Sequence, residues 1–279
     1  MRPPIGWRLR YLPVGKVPGM DTSSPIRRLA AAPNAAEAAE TAREAVDRVR
    51  RHKVLRSQSA RVTAESQLRG ARASAALGSL TEAGADWPLE EVRRRTDLGD
   101  EDGSGLLRGA LRISGELGTL APVWKRSPIQ ALSRMHLLAA AGHLDQDKVG
   151  RPRDPEAAAT LNILANELRD PATAEVPAVV VAAAVHAELL VNEPFGWGDG
   201  LLARAASRLI LADRGLDPQS LAVVEAGHVD LGIEVYLAAA RAYATGTDEA
   251  LAAWLAQYAE AVALGARESL AVCEAIMRG

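Results

Sequence analysis

The sequence has few aromatic residues. Only 4% of its 279 residues are aromatic, with a single phenylalanine, whereas strands are normally rich in aromatic and β-branched residues. Alanine, the strongest helix former, makes up about a fifth of the chain. Hydrophobic residues at 48% and charged residues at 24% give an ordinary globular balance. The composition therefore excludes an all-β fold and predicts an all-α protein whose helices pack closely.

Other absences exclude whole classes of function. The one cysteine, Cys273, cannot form an internal disulfide, which is typical of a reducing cytoplasm, and we interpret it as a small apolar filler. A net charge of -2 without a long basic run argues against nucleic acid as a partner. The longest run without a charge, Val176 to Ala187, is too short to cross a bilayer, and the proline-rich start has no apolar core of a signal peptide. We expect a cytoplasmic protein away from membranes. No oligomeric state is indicated.

Proline and glycine spacing divides the chain. Six prolines in residues 1–33 interrupt every helical pattern there and predict a flexible N-terminal arm. Residues 34–279 are predicted to form one helical domain, with Asn34 as the N-cap of its first helix. The helices are expected at about 35–55, 57–77, 88–96, 106–118, 128–141, 155–169, 177–192, 201–215, 229–244 and 248–277.

A glycine-rich loop follows the most apolar of these helices. The helix at 177–192 is apolar on all sides and is expected at the centre of the bundle. The next residues, EPFGWGDG (193–200), precede another helix. Backbone N–H groups of such a loop and the first turn of the helix can converge on an anion, and Arg204 can turn toward it. The alternative is a plain connecting loop.

This segment resembles the core motif of Fic (Fido-domain) proteins, His-Pro-Phe-x-(Asp/Glu)-Gly-Asn-Gly-Arg-x-x-Arg. Pro194, Phe195, Gly198, Gly200 and Arg204 match at the family spacing. The resemblance covers about 34–279 and implies an all-α Fido-like bundle around two central helices. It also implies transfer of AMP or a related group from a nucleotide to a protein hydroxyl, with the loop at 142–155 as the target-binding flap. The nucleotide-binding positions would be Gly198, Asp199, Gly200 and Arg204.

Four polar positions of the motif are replaced. Glu193 stands at the histidine that acts as general base in the family, so it is the candidate catalytic residue. Trp197 replaces the acidic ligand of Mg²⁺, which leaves no metal site. Asp199 replaces the asparagine and Leu201 the first arginine, so a negative charge is gained and a positive one lost where phosphate would bind. These changes argue against conventional AMP transfer, and Asp199 is expected to cap the following helix instead.

The run ARASAALGSL (71–80) resembles the inhibitory segment of self-restrained family members, (Ser/Thr)-x-x-x-Glu-(Gly/Asn). Ser74 matches the first position of that motif, and Gly78, four residues later, stands where the motif has its glutamate. The resemblance therefore implies that the inhibitory carboxylate is missing along with the catalytic machinery. A degenerate active site would show both losses.

Several other side chains have a structural and a functional interpretation. His186 on the apolar helix is interpreted as a hydrogen-bonded core histidine, with a role beside Glu193 as the alternative. His136 and His143 lie near Asp145 and Asp147, but their spacing matches no metal-ligand pattern. Trp254 and Tyr258 are expected to be core residues.

Two functions follow from this sequence. The first is a protein-binding or regulatory module that keeps the target groove of the fold without a nucleotide cofactor. The alternative is an enzyme, such as a nucleotidyl- or phosphoryl-transferase, that uses a remodelled anion pocket with Glu193, Asp199 or His186.

Overall fold

The computed structural model describes residues 24–95, 98–99 and 104–278. Within them the chain forms thirteen α-helices and no β-strand, which confirms the all-α prediction. The helices are α1 (Pro25–Ala30), α2 (Ala35–Arg50), α3 (Leu55–Leu77), α4 (Leu89–Arg94), α5 (Ser104–Arg126), α6 (Pro128–Ala140), α7 (Pro155–Arg169), α8 (Pro171–Ala174), α9 (Ala178–Asn192), α10 (Asp199–Asp213), α11 (Val224–Leu231), α12 (Ile233–Tyr243) and α13 (Asp248–Arg278).

Helices α9 and α10 form the centre of the bundle. They pack against each other, while α1, α2, α12 and α13 cover α9, and α3, α5 and α6 cover α10. Every residue of α10 from Asp199 to Leu211 is buried, and α9 is buried around nearly its whole circumference because it carries almost only valine, alanine and leucine. In the described part of the chain no helix combines the length and apolarity needed to cross a membrane.

The scarce aromatic residues gather beside α9. The rings of His186, His228, Tyr236, Trp254 and Tyr258 lie in mutual contact and are fully buried. Nε2 of His186 shares a hydrogen bond of 2.8 Å with the Tyr236 hydroxyl. The interpretation of His186 as a core histidine is thus confirmed, and so is that of Trp254 and Tyr258 as core residues.

The predicted N-terminal arm extends too far along the chain. Residues 1–23 of it lie outside the described residues, but within 24–33 the structure has helix α1. Pro25 lies in its first turn, where a missing N–H costs nothing, and the Ser24 hydroxyl accepts from Arg27 N–H at 3.2 Å. The side chains of Ile26 and Leu29 are fully buried. The prediction of a flexible arm is therefore wrong for 24–33, because Pro25 begins helix α1 and does not interrupt a helix.

Three further helix details differ from expectation. Asn34 precedes α2 but makes no side-chain cap; its amide donates to Ala252 O at 2.9 Å and ties α2 to α13. Helix α5 continues to Arg126 through Pro122, which lies on an exposed turn. The single helix expected at 229–244 is divided into α11 and α12 by Gly232, whose φ of 105° interrupts the helical path.

Helix α13 packs closely against α11 at a glycine. A Cβ on Gly227 would lie only 1.9 Å from the carbonyl oxygen of Ala261. This approach brings the backbones of the two helices into contact and leaves no space for a side chain.

Further along α13, Cys273 is a free, buried thiol, in agreement with its interpretation as an apolar filler.

We predict that Gly227→Ala lowers the free energy of unfolding by about 2 kcal/mol or more, because α11 must move away from α13. The matched control is Gly118→Ala in α5, where a Cβ would meet nothing within 4 Å. There alanine should stabilise the helix by about 0.5–1 kcal/mol. Urea unfolding of both variants measures the difference, and equal effects of the two substitutions would contradict the close approach.

Candidate functional site

The loop between the central helices has an unusual backbone. Glu193 ends α9 in the left-handed conformation, with φ at 42°, and Gly196 and Gly198 have φ values of 79° and 71°. Phe195 is buried, with its ring 4.6 Å from the ring of His136 on α6. We call residues 193–200 the motif loop. Its path depends on two glycines at positive φ and one buried aromatic side chain.

Asp199 fixes the motif loop from within. It is the first residue of α10, but its Oδ1 accepts backward from Phe195 N–H at 2.9 Å, so the expected capping of the following helix is wrong. Its Oδ2 is buried and has no hydrogen-bond partner among the described residues. Burial raises the pKa of Asp199 well above its usual range, and the nearby charges of Glu193 and Glu82 raise it further.

Glu193, the candidate base, is held by two hydroxyl groups. Its Oε1 accepts from Thr81 Oγ1 at 2.8 Å and from Ser79 Oγ at 3.1 Å. Burial raises the pKa of the Glu193 carboxyl, while the two hydroxyl donors act in the opposite direction. The side chain remains partly exposed. A carboxyl group of raised pKa at this position has the property that proton transfer requires, but its oxygen already binds donors of the chain itself.

Glu82 occupies the anion-binding nest that the glycines were expected to form. Its Oε2 accepts from Gly198 N–H at 3.1 Å. Burial is the main cause that raises the pKa of Glu82, while the Gly198 N–H lowers it. The sequence did not indicate Glu82 as a residue of this site. Glu82 lies four residues after Gly78, which ends α3. The chain turns there and carries the Glu82 carboxylate to the motif loop.

Arg204 is buried beside the same loop, with 1% of its surface exposed. Its Nε donates to Ser74 Oγ at 2.8 Å, and its Nη2 donates to the carbonyl oxygens of Ser74 and Gly78, both at 2.9 Å. Its Nη1 donates to the Tyr236 hydroxyl at 3.1 Å. The segment 71–80 thus lies against the motif arginine, and a backbone carbonyl takes the place expected for a carboxylate.

Gly200 allows this arrangement. A Cβ on Gly200 would lie 2.4 Å from the carbonyl oxygen of Gly78 and 3.1 Å from both Nη atoms of Arg204. Gly78 itself has a φ of 58°, and a Cβ there would lie 2.2 Å from Glu82 O. Two glycines therefore bring the end of α3 onto the N-terminus of α10, the place where the sequence predicts an anion.

The loop at 142–155 is pinned over the motif loop. Arg153 N–H donates to Pro194 O at 2.8 Å, and its guanidinium donates to the carbonyl oxygens of Asn192, at 2.6 Å, and Glu193. The exposed ring of His143 stacks on the partly exposed ring of Trp197, with centroids 4.1 Å apart. The family resemblance implied that 142–155 is a target-binding flap, but it did not indicate these contacts with the motif loop.

Two solved structures are similar over most of the chain. One is a Fic family protein from Desulfovibrio desulfuricans, with 18% identity, a TM-score of 0.65, and coverage of 86% of this chain and 75% of that one. The other is residues 134–508 of Fic-1 from C. elegans, with 17% identity, a TM-score of 0.62, and coverage of 85% and 73%. The chain has the fold of Fic family proteins. No protein-family model matches the sequence, and no curated protein is similar to it.

In this Fido fold the motif loop lies between the two central helices, as the resemblance implied. Trp197 stands at the position of the acidic ligand, and no group of three or more His, Cys, Asp or Glu side chains in the described ranges is placed to hold a metal ion. Glu82 takes the Gly198 N–H, and the guanidinium of Arg204 is hydrogen-bonded at all three nitrogens.

We predict that Asp199→Asn stabilises the protein increasingly as pH rises. The raised pKa means that the folded state favours the protonated carboxyl, so ionisation destabilises the fold as pH rises through the folded-state pKa. Asparagine keeps an oxygen for the Phe195 N–H and cannot ionise. The gain should be smallest below about pH 4, where the carboxyl is protonated in both the folded and the unfolded state, and should grow as pH rises above that value.

Urea unfolding at several pH values measures this gain. The control is Asp147→Asn, at an exposed position of the 142–155 loop. A gain for Asp199→Asn that does not change with pH, or an equal gain for Asp147→Asn, would show that Asp199 is not a destabilising buried charge.

Proposed function

We propose that this Fido-fold protein does not transfer AMP and acts as a protein-binding or regulatory module. The observation that carries the proposal is the hydrogen bond of 3.1 Å from Gly198 N–H to Glu82 Oε2. It supports the view that the anion nest is satisfied within the chain, because the donor that would face a phosphate already binds a carboxylate.

Electrostatics support the same conclusion. In addition to burial, the charge of Glu193 raises the pKa of both Glu82 and Asp199, and the charge of Glu82 raises that of Asp199, so the three carboxyl groups lie close together. A nucleotide phosphate would approach three carboxyl groups and would have to displace the Ser74 and Gly78 contacts of Arg204. Both steps cost free energy, because like charges repel and a buried donor or acceptor would lose its partner.

The surface around the motif loop supports the binding role. Trp197 and the exposed His143 stack where the 142–155 loop lies over the motif loop, the surface that would correspond to the target groove of the fold. Tryptophan side chains are enriched among the residues that dominate the affinity of protein interfaces. We therefore place the binding site for a partner protein at this groove.

One observation favours the alternative of an altered enzyme. Glu193 combines a raised pKa, partial exposure and contact with the hydroxyl groups of Ser79 and Thr81. These properties suit a general base.

Calorimetric titration tests the loss of nucleotide binding. We expect no binding heat for ATP, GTP or CTP, with or without Mg²⁺ or Mn²⁺, because Glu82 and the bonded Arg204 leave no site for phosphate. Glu82→Ala removes the internal carboxylate, so binding by this variant alone would identify Glu82 as the cause. Micromolar binding by the unmodified protein, lost on Arg204→Lys, would contradict the proposal.

The same protein incubated with cell lysate and labelled ATP should transfer no label to other proteins. Covalent label on lysate proteins that disappears with Glu193→Ala would favour the enzyme instead.

Site-specific photo-crosslinking tests the groove. A photoreactive residue at Gln146, exposed in the 142–155 loop, should give crosslinks to another protein several-fold stronger than one at Ile163, which is 50% exposed on α7. The measurement is the yield of crosslinked product in cells that express the protein. Equal yields at both positions would show that the groove is no preferred binding surface.

A further inference from the structure

A buried ion pair lies away from the motif loop, between α10 and α11. The side chains of Arg208 and Glu225 are only 2% and 5% exposed, and Nη1 of Arg208 lies 3.6 Å from Oε1 of Glu225. This distance is too long for a direct hydrogen bond. Nη2 of Arg208 does form hydrogen bonds, to Ser66 Oγ at 2.8 Å and to Ser220 O at 2.7 Å.

The facing atoms of the pair are unsatisfied. Nε and Nη1 of Arg208 and Oε2 of Glu225 are buried without a hydrogen-bond partner in the part of the chain that the structure describes. Each such atom on a charged group costs free energy, and a buried ion pair is favourable only when its remaining donors and acceptors are bonded. Nη1 of Arg208 and Oε2 of Glu225, on two adjoining side chains, therefore indicate a missing common partner.

These two side chains line a cavity. Its volume of about 10 Å³ is close to the smallest that holds one ordered water molecule. The walls come from four helices, α3, α5, α10 and α11, and include Ser74, Ser114 and Ala205 besides the ion pair. The hydroxyl groups of the two serines are further polar groups on an otherwise apolar wall.

We propose that this cavity is a binding site for a single water molecule that bridges Arg208 Nη1 and Glu225 Oε2. Only a ligand that both accepts and donates hydrogen bonds can satisfy the two atoms at once. An anion would be repelled by Glu225 and a cation by Arg208, and the volume excludes larger molecules. The water accepts from the guanidinium and donates to the carboxylate.

This site goes beyond the proposed function and does not depend on it. The bridging water connects α10 to α11, which contact each other over only a few residues. Gly70 on α3 lies against the ion pair, since a Cβ there would lie 2.5 Å from Arg208 Nη1 and 3.1 Å from Glu225 Oε2. A water at this place would fix the distance between the charged groups.

A high-resolution crystal structure of the full chain is the direct test. We expect one density peak within hydrogen-bond distance of both Arg208 Nη1 and Glu225 Oε2. Absence of the peak, together with a direct Arg208–Glu225 hydrogen bond, would overturn the proposal, and so would a peak in contact with neither group.

Magnetic relaxation dispersion of water ¹⁷O provides a second measurement in solution. Ala205→Val places two methyl groups at the cavity wall and should lower the number of long-lived internal waters by one relative to the unmodified protein. The control is Ala212→Val, on the same helix but outside the cavity lining, which should leave the number unchanged. An unchanged number in a folded Ala205→Val variant would contradict the site. If that variant does not fold, the crystal structure of the unmodified protein decides.

Discussion

The buried guanidinium of Arg204 determines much of the arrangement at the centre of the molecule. A charged group with 1% exposure is tolerated only if nearly all its donors are bonded. Here the acceptors are the Ser74 hydroxyl, two carbonyl oxygens at the end of α3 and the Tyr236 hydroxyl. The end of α3 therefore has to lie on the N-terminus of α10. The positive φ of Gly78 and the missing side chain of Gly200 follow from that requirement.

The same contact brings acidic groups together. Because the chain turns directly after Gly78, Glu82 reaches Gly198, while Ser79 and Thr81 reach Glu193. Asp199 lies beneath them and holds the Phe195 N–H. Burial raises the pKa of all three carboxyl groups. Hydrogen bonds from backbone N–H and hydroxyl donors oppose this rise in pKa but do not outweigh the effect of burial.

The sequence predicts those helices and core residues whose pattern lies within a few neighbouring residues. The apolar run of α9, the helix that follows the glycines and the core role of His186 all follow from residue type and spacing, whereas segment 71–80 was singled out only by the family resemblance. The contacts of Glu82 and Arg153 could not be predicted, because they join residues more than thirty positions apart through turns of irregular backbone. The sequence predicts Asp199 as a helix cap, because a carboxylate before a helix commonly accepts from N–H groups of the first helical turn. Asp199 accepts instead from the N–H of Phe195, four residues earlier, because Gly196 and Gly198 turn the loop with positive φ. The α1 helix was missed because Pro25 at a helix start resembles a proline in an irregular arm.

The bonding of Arg204 has a consequence for how variants of this chain would be read in a genetic screen. Arg204 and Glu82 bond the chain to itself, so substitutions that remove these hydrogen bonds would change the amount of intact protein in the cell. A phenotype at these positions would therefore report abundance, and only positions on the exposed edge, such as His143, would separate function from folding.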